Sequence, residues 1–459
     1  MNTQEKIRLF EETPIPKAVR ILAIPSVISS LVTVIYSLTD TFFVGMINDP
    51  VQNAAITLAS PVLLAFNAVN NLFGVGTSSM MSRSMGKKDY ELTAKCSSFG
   101  FYGCLICGLL FSLLCTVFRM PLLGILGADA TTNEATSQYM LWAVTCGAAP
   151  AILNVVMAHM VRAEGASLHA SIGTMSGCIL NMILDPIFIL VFHMGATGAG
   201  LATFISNCVA CCYFFVLLFL KRGNTFINIS PKKFRLEREV AVGICSVGIP
   251  SAIQNLLNVT GMTILNNFTA PYGATAVSAM GISHKINMVP LNVALGFSQG
   301  IMPLVGYSFS NKNFKRMKDT ILFAAKVMIP ITAAAATIFF IGARPIMNLF
   351  MDVPEVVDYG STFLREACIC LPFMFTDFMT VAVFQSLGKG RYAFIFAICR
   401  KVVLEIPAQI ILNMIFPLYG LAFAQTFSEM TLGIVAVFML RKIFRDCSAE
   451  EQAMKMAGQ

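Results

Sequence analysis

Charge is the scarcest property of this sequence. Only 12% of its 459 residues are Asp, Glu, Lys or Arg, while 56% are hydrophobic. A soluble domain carries about 25% charged residues, so a chain living wholly in water is excluded. Also lacking is a G-x-x-x-x-G-K-[ST] phosphate loop. The nearest approach, LGKGR at 387–391, has neither the leading glycine nor the hydroxyl, which argues against a machine driven by ATP. Histidine is rare, and His159, His169, His193 and His284 show no zinc-like spacing with any cysteine. The 14 cysteines, including the pairs Cys104/Cys107 and Cys208/Cys211, lie almost all in apolar stretches and read as small packing residues. No nucleophile and base cluster falls at one depth, so neither an enzyme nor a cofactor is expected. Residues 1–20 are polar and offer no short apolar core followed by a cleavage site, so no signal peptide is expected.

What remains is a series of apolar runs, each long enough to cross a hydrocarbon core of about 30 Å as a helix. Twelve are predicted: 19–45, 52–82, 91–119, 136–161, 168–192, 198–220, 243–268, 275–304, 319–343, 358–387, 393–416 and 420–441. Their orientation follows from the basic residues, which stay cytoplasmic in short loops. With the N-terminus inside, the outer loops hold only Arg119 and Arg344. Lys285, Lys326, Arg365, Arg400 and Lys401 fall within predicted helices, and all others of the 32 Lys and Arg lie inside. Both termini are therefore expected in the cytoplasm. The net charge of +8 is explained by that topology and by anionic inner-leaflet lipid, not by nucleic acid.

The chain also repeats itself. AIPSVISSLVT (23–33) returns as GIPSAIQNLLN, so that Pro25 meets Pro250. GVGTSSMMSRSMGKKDY (74–90) meets GFSQGIMPLVGYSFSNKNF (296–314), and RAEGASLHASI (162–172) meets QSLGKGRYAFI (385–395). Six helices per repeat is an even number, so both halves enter from the same side and are related by a pseudo-twofold axis along the membrane normal. The expected division is an N-lobe at 1–222, a basic cytoplasmic linker at 223–239 and a C-lobe at 240–459 with a short cytoplasmic tail. A substrate path belongs between such halves.

Two aspartates stand inside apolar runs: Asp40 in IYSLTDTFFVG and Asp185 in NMILDPIFI. An acid at bilayer depth costs about 2.5–3.5 kcal/mol on insertion scales and usually faces a cavity, a partner or an ion path. Both lie within about two turns of the outer ends of their helices, at similar depth. Two nearby carboxyls that cannot both ionise cheaply share a proton or a cation. The alternative is that each is a neutral, hydrogen-bonded acid fixing helix packing. Asn181 precedes Asp185 by four residues, on the same helix face. The pair is absent from the second half, where Asp40 aligns with Leu265. Tyr36, Asn67, Asn70, Asn71, Asn154, Thr203 and Asn207 are further polar candidates for the cavity, with Gln254 and Asn258 from the seventh helix. Pro25 removes a backbone hydrogen bond from the first helix and permits it to bend.

Other intramembrane charges read as able to neutralise one another. Lys401 and Glu405 are four apart, Arg400 and Glu429 lie at comparable depth, and Asp377 is matched in depth by Lys326. A structural ion network is one reading and a second proton relay the other. His284 and Lys285 are left without an assigned role.

These segments together resemble the multidrug and toxic compound extrusion (MATE) family, in its DinF-related, MepA-like branch. The residues carrying the resemblance are IPSVISSLVTVIYSLTDTFFVG (24–45), GVGTSSMMSRSMGKKD (74–89), RAEG with NMILDPIFI and GATGAGLATFIS (162–206), and FQSLGKGR (384–391). The resemblance implies an all-α membrane protein of two six-helix lobes forming a V. It implies exchange of amphipathic, often cationic drugs for protons, or for sodium, by alternating access in a prokaryotic plasma membrane. It places the ion-coupling acids in the N-lobe, at Asp40 and at Asp185 with Asn181. A sodium ion at Asp40 and Asp185 is the alternative to the proton, and no other metal is expected. The NorM-like branch uses a glutamate on its seventh helix, where this chain has only Gln254, Asn255 and Asn258. A lipid-linked precursor flippase of the same wider superfamily is the other function weighed, and it would line its cavity with several bases for phosphate. The partners expected are small-molecule drugs and the bilayer, for a monomer.

Overall fold

In the computed structural model, residues 2–457 apart from Asn48 and Asp352 are described, and they form helices joined by short turns, with no strand among them. Lipid offers no hydrogen bonds, so an open chain crossing it has to satisfy its backbone internally. A nine-residue helix, α1 (Thr3–Glu11), precedes the long α2 (Ile15–Gly45). Then follow α3 (Pro50–Gly86), α4 (Tyr90–Val117), α5 (Asn133–Cys146 and Ala148–Ala163, bent by 44°), α6 (Ser167–Val191) and α7 (Gly195–Leu220). The second half runs through α8 (Arg238–Tyr272), α9 (Ala274–Ser310), α10 (Phe314–Phe350), α11 (Pro354–Cys368 and Leu371–Ser386, bent by 49°), α12 (390–415) and α13 (Tyr419–Met456).

Among the described residues nine of these helices are long and apolar enough to cross a membrane, or eleven if each bent pair is one span. The twelfth predicted crossing is α12. It is helical throughout but carries Arg400, Lys401 and Glu405 in its middle, so it lacks an uncharged stretch of membrane length.

Packing divides the chain into two units. The first comprises the residues up to Glu12 together with Ile28–Ala252. The second comprises Thr13–Val27 with everything from Ile253 onward. The chain therefore changes unit inside α2 and inside α8, in each case shortly after the repeat-related prolines Pro25 and Pro250. The polar stretch 223–239, expected as a connection between lobes, is pinned to the first unit. Ser98 Oγ donates to the Asn228 carbonyl at 2.8 Å, and Tyr102 Oη to that of Ile229 at 2.8 Å.

The first unit is filled by Met81, Ile152, Met157 and Phe214, all essentially inaccessible. Its α3 and α8 touch closely. A Cβ on Gly248 would run into the Leu72 carbonyl oxygen, as at small-residue contacts between membrane helices. Gly248→Val is expected to push α8 off α3, at an overpacking cost of about 1–3 kcal/mol, read as a lowered thermal midpoint of the purified protein. The second unit packs around Ala276, Phe363 and Leu421 and around Ile286, Met347 and Leu364.

Among the described residues four helices widen into π turns: α3 at Asn71–Val75, α5 at Leu141–Cys146, α6 at Ile187–Val191 and α12 at Cys399–Glu405. Such turns swing the side chains beside them and cluster at functional sites. The one in α6 has a visible cause. Pro186 has no N–H to give and crowds the preceding turn, and the Phe192 N–H then reaches back five residues to the Ile187 carbonyl at 2.9 Å.

Candidate functional site

The π turns of α5 and α6 begin just beyond a group of polar side chains in the first unit. Asp40 on α2 and Asp185 on α6 are close enough for each carboxyl to feel the other's charge. Two carboxyls so placed do not both ionise cheaply, and such a pair shares a proton or a cation. Asp185 is fully buried and Asn181 nearly so, whereas Asp40 and Tyr36 are half-buried. With its amide nitrogen turned to the acid, Asn181 donates to Asp185 Oδ2 at 2.6 Å, and its oxygen accepts the Thr203 N–H at 3.1 Å. This orientation leaves neither end of the amide idle. Thr203 is in turn tied to its own helix, its hydroxyl donating to the Ala199 carbonyl at 3.0 Å.

Two tyrosines lie within electrostatic reach of both acids: Tyr36, one turn before Asp40, and Tyr139 on α5. Tyr139 was not among the residues picked from sequence. It sits in an otherwise polar first turn, NEATSQYM, and only the π turn that follows distinguishes it from a packing aromatic. The arrangement is a chain of groups, Asp40 to Asp185 to Asn181 to Thr203, spanning α2, α6 and α7, with phenols at its edge. It can store one proton between two oxygens and accept a hydrogen bond or a cation when that proton leaves.

The other first-unit candidates are distributed differently. Asn154 Nδ2 donates to Asn207 Oδ1 at 2.7 Å, joining α5 to α7. Asn71 Nδ2 donates to the Asn67 carbonyl at 2.7 Å, and its oxygen accepts from Ser251 Oγ at 3.3 Å. Asn70 is buried with its Oδ1 unpaired. Among the described residues none of Asn67, Asn70 and Asn71 bonds to the aspartates. Helix α2 continues through Pro25, where Ser26 Oγ donates to the Leu22 carbonyl at 3.1 Å.

A second polar cluster lies inside the second unit. Arg400 Nη1 donates to Asp377 Oδ2 at 3.0 Å and stands 3.9 Å from Glu429 Oε1, while Nη2 donates to Asn258 Oδ1 at 2.9 Å. Ser428 Oγ donates to the Arg400 carbonyl at 3.0 Å. Lys401 grips Glu405 at 2.6 Å, with its stem against Gly261 of α8. One expectation is corrected here. Asp377 pairs with Arg400, not Lys326, because Arg400 points from the widened turn of α12 into the buried interior, whereas Lys326 is exposed on α10. Asn258, an expected cavity residue, is exposed, and its oxygen accepts from the guanidinium. Gln254 stands half-buried one turn earlier on α8.

A family model, MatE, matches twice, over residues 25–187 and 250–411. The chain belongs to the MATE family of membrane transporters, not of enzymes. Each match begins at one of the two repeat-related prolines, so the family unit is the internal repeat itself. The MATE chain is 32% identical to the multidrug export protein MepA of Staphylococcus haemolyticus strain JCSC1435, covering 95% of each. It is 33% identical to MepA of Staphylococcus aureus strain MRSA252, covering 95% of this chain and 96% of the relative. Among solved structures, a multidrug resistance MATE transporter of the MOP superfamily in an outward-facing conformation superposes with a TM-score of 0.89 at 26% identity. That match spans 97% of this chain and 99% of the other.

Proposed function

We propose that this MATE protein exports small amphipathic, often cationic drugs in exchange for protons, by alternating access in a prokaryotic plasma membrane with both termini in the cytoplasm. What supports the proton as coupling ion is the nearness of the Asp40 and Asp185 carboxyls, which do not both ionise cheaply and so favour sharing a proton. Loss of that proton creates a negative site at the outer part of the first unit, and a cationic drug or its competitor, the returning proton, neutralises it. The multidrug export relatives support the substrate class. In the second unit, Arg400, Lys401, Asp377, Glu405 and Glu429 brace the helices as a structural ion network.

The test is efflux of ethidium from proteoliposomes with a proton gradient or a sodium gradient imposed separately. Proton-driven efflux indifferent to sodium is the expected result. Sodium-driven efflux reassigns the ion to a cation held by Asp40 and Asp185. Efflux under neither gradient returns the reading to a lipid-linked precursor flippase.

A further inference from the structure

Outside the apolar spans, one base among the described residues is buried almost completely: Lys6 of α1, at 2% exposure. A buried ammonium persists only where its charge and its hydrogens are met. Lys6 Nζ donates to Glu164 Oε1 at 2.6 Å and to the Asn224 carbonyl at 3.1 Å. The other oxygen of Glu164 accepts from Thr225 Oγ1 at 2.8 Å and from the Phe226 N–H at 2.9 Å. One carboxylate thus ties together α1, the turn between α5 and α6, and the stretch after α7. Leu9 and Phe10 complete the dock at 2% and 1% exposure. Phe10 lies over Gly165, where an added Cβ would stand 3.0 Å from its ring and where φ is +87°.

The internal repeat separates two roles in this turn. Glu164 and Gly165 align with Leu387 and Gly388, and Gly388 also has a positive φ, +72°. The glycine is therefore what the turn needs. The acid is not, since the second half turns without it. Glu164 is present where α1 docks.

What α1 leads into gives the dock a consequence. Up to Glu12 the chain packs in the first unit, but Thr13–Val27 packs in the second, where Arg316 Nη2 donates to the Thr13 carbonyl at 2.6 Å. Only Glu12, Thr13 and Pro14 separate α1 from α2. Such a link has no slack, so residues 13–27 cannot shift against the first unit without pulling on α1.

We propose that α1 is a cytoplasmic latch: docked through Lys6 and Glu164, it holds the inner half of α2, and each transport cycle requires its release and return. This rests on the transporter reading above. Hydrogen exchange of the full-length protein in lipid nanodiscs, without substrate, reads the dock directly. In the unaltered protein the amides of residues 3–12 are expected to be protected, and in Lys6→Gln and Glu164→Gln to exchange about tenfold faster. Ethidium affinity is expected to stay within about twofold, while the maximal efflux rate falls about fivefold. Lys6→Arg, which keeps a cation with donors for both Glu164 and the Asn224 carbonyl, is expected to keep protection and rate near those of the unaltered protein, which separates loss of the dock from loss of folding. Unchanged exchange in both glutamine variants overturns the dock, and faster exchange with undiminished efflux overturns the latch. A wild-type protein that exports nothing is a failure of the transporter reading instead, distinguishable because exchange is read without transport.

Discussion

Asp40→Asn is expected to reduce proton-driven ethidium efflux to a small residual still measurable above the leak of protein-free vesicles, and Asp185→Asn to do the same. Each change leaves a neutral amide where the pair must give up and take back a proton. The informative variant is the double one. If the two carboxyls act as a single proton store, removing both costs no more than removing either, as for other groups that act as a unit. Independent sites would instead show multiplying losses. The number of protons sets the usable gradient. Exchange of one proton for one monovalent cation moves no net charge and draws only on the pH difference, about 1.4 kcal/mol per pH unit. A second proton adds about 2.3 kcal/mol per 100 mV of membrane potential. Efflux by a wild-type-like Asp40→Asn, with unchanged pH dependence, would remove the coupling role from this site.

Much of this was legible in the residues. Hydrophobic run lengths gave the crossings, because backbone satisfaction in lipid leaves few alternatives. The paired motifs gave the repeat, which the two family matches, 25–187 and 250–411, bear out. Asp40 and Asp185 drew notice because a carboxyl in an apolar run is costly wherever it sits. Four things were not legible, each for a physical reason. Periodicity assumes regular α-helix, and the π turn at Cys399–Glu405, within which Arg400 is buried against Asp377, departs from it. That is why depth alone matched Asp377 with Lys326. Tyr139 is chemically indistinguishable from a core aromatic until α2 and α6 are packed beside it. Lys6 looked like one more base obeying the cytoplasmic rule, although it is among the most buried charges of the chain. A helix that packs in two units, as α2 does on either side of Val27, leaves no compositional mark, since both segments are equally apolar.

The largest stability effect is expected at Arg400, where the two halves of the repeat differ most in kind. Among the described residues no base is paired with the first unit's acids, which in the proposed reading share a proton instead. The second unit's Asp377 and Glu429 share a guanidinium that also holds Asn258 of α8, so one side chain of α12 links α8, α11 and α13. Arg400→Met fills a similar volume but leaves two carboxyls, at 0% and 2% exposure, without their counter-charge. Breaking a buried pair from one side costs about 3–5 kcal/mol, expected as a large drop in the thermal midpoint of the purified transporter. Removing the acids as well should restore much of it, because a triad replaced by neutral groups of similar shape is often no less stable than the charged original. Arg400→Met combined with Asp377→Asn and Glu429→Gln is therefore expected to melt well above Arg400→Met alone. If it also retains proton-driven efflux, the network is a brace. If it melts normally but no longer couples efflux to the gradient, these acids carry a proton of their own and the structural reading fails.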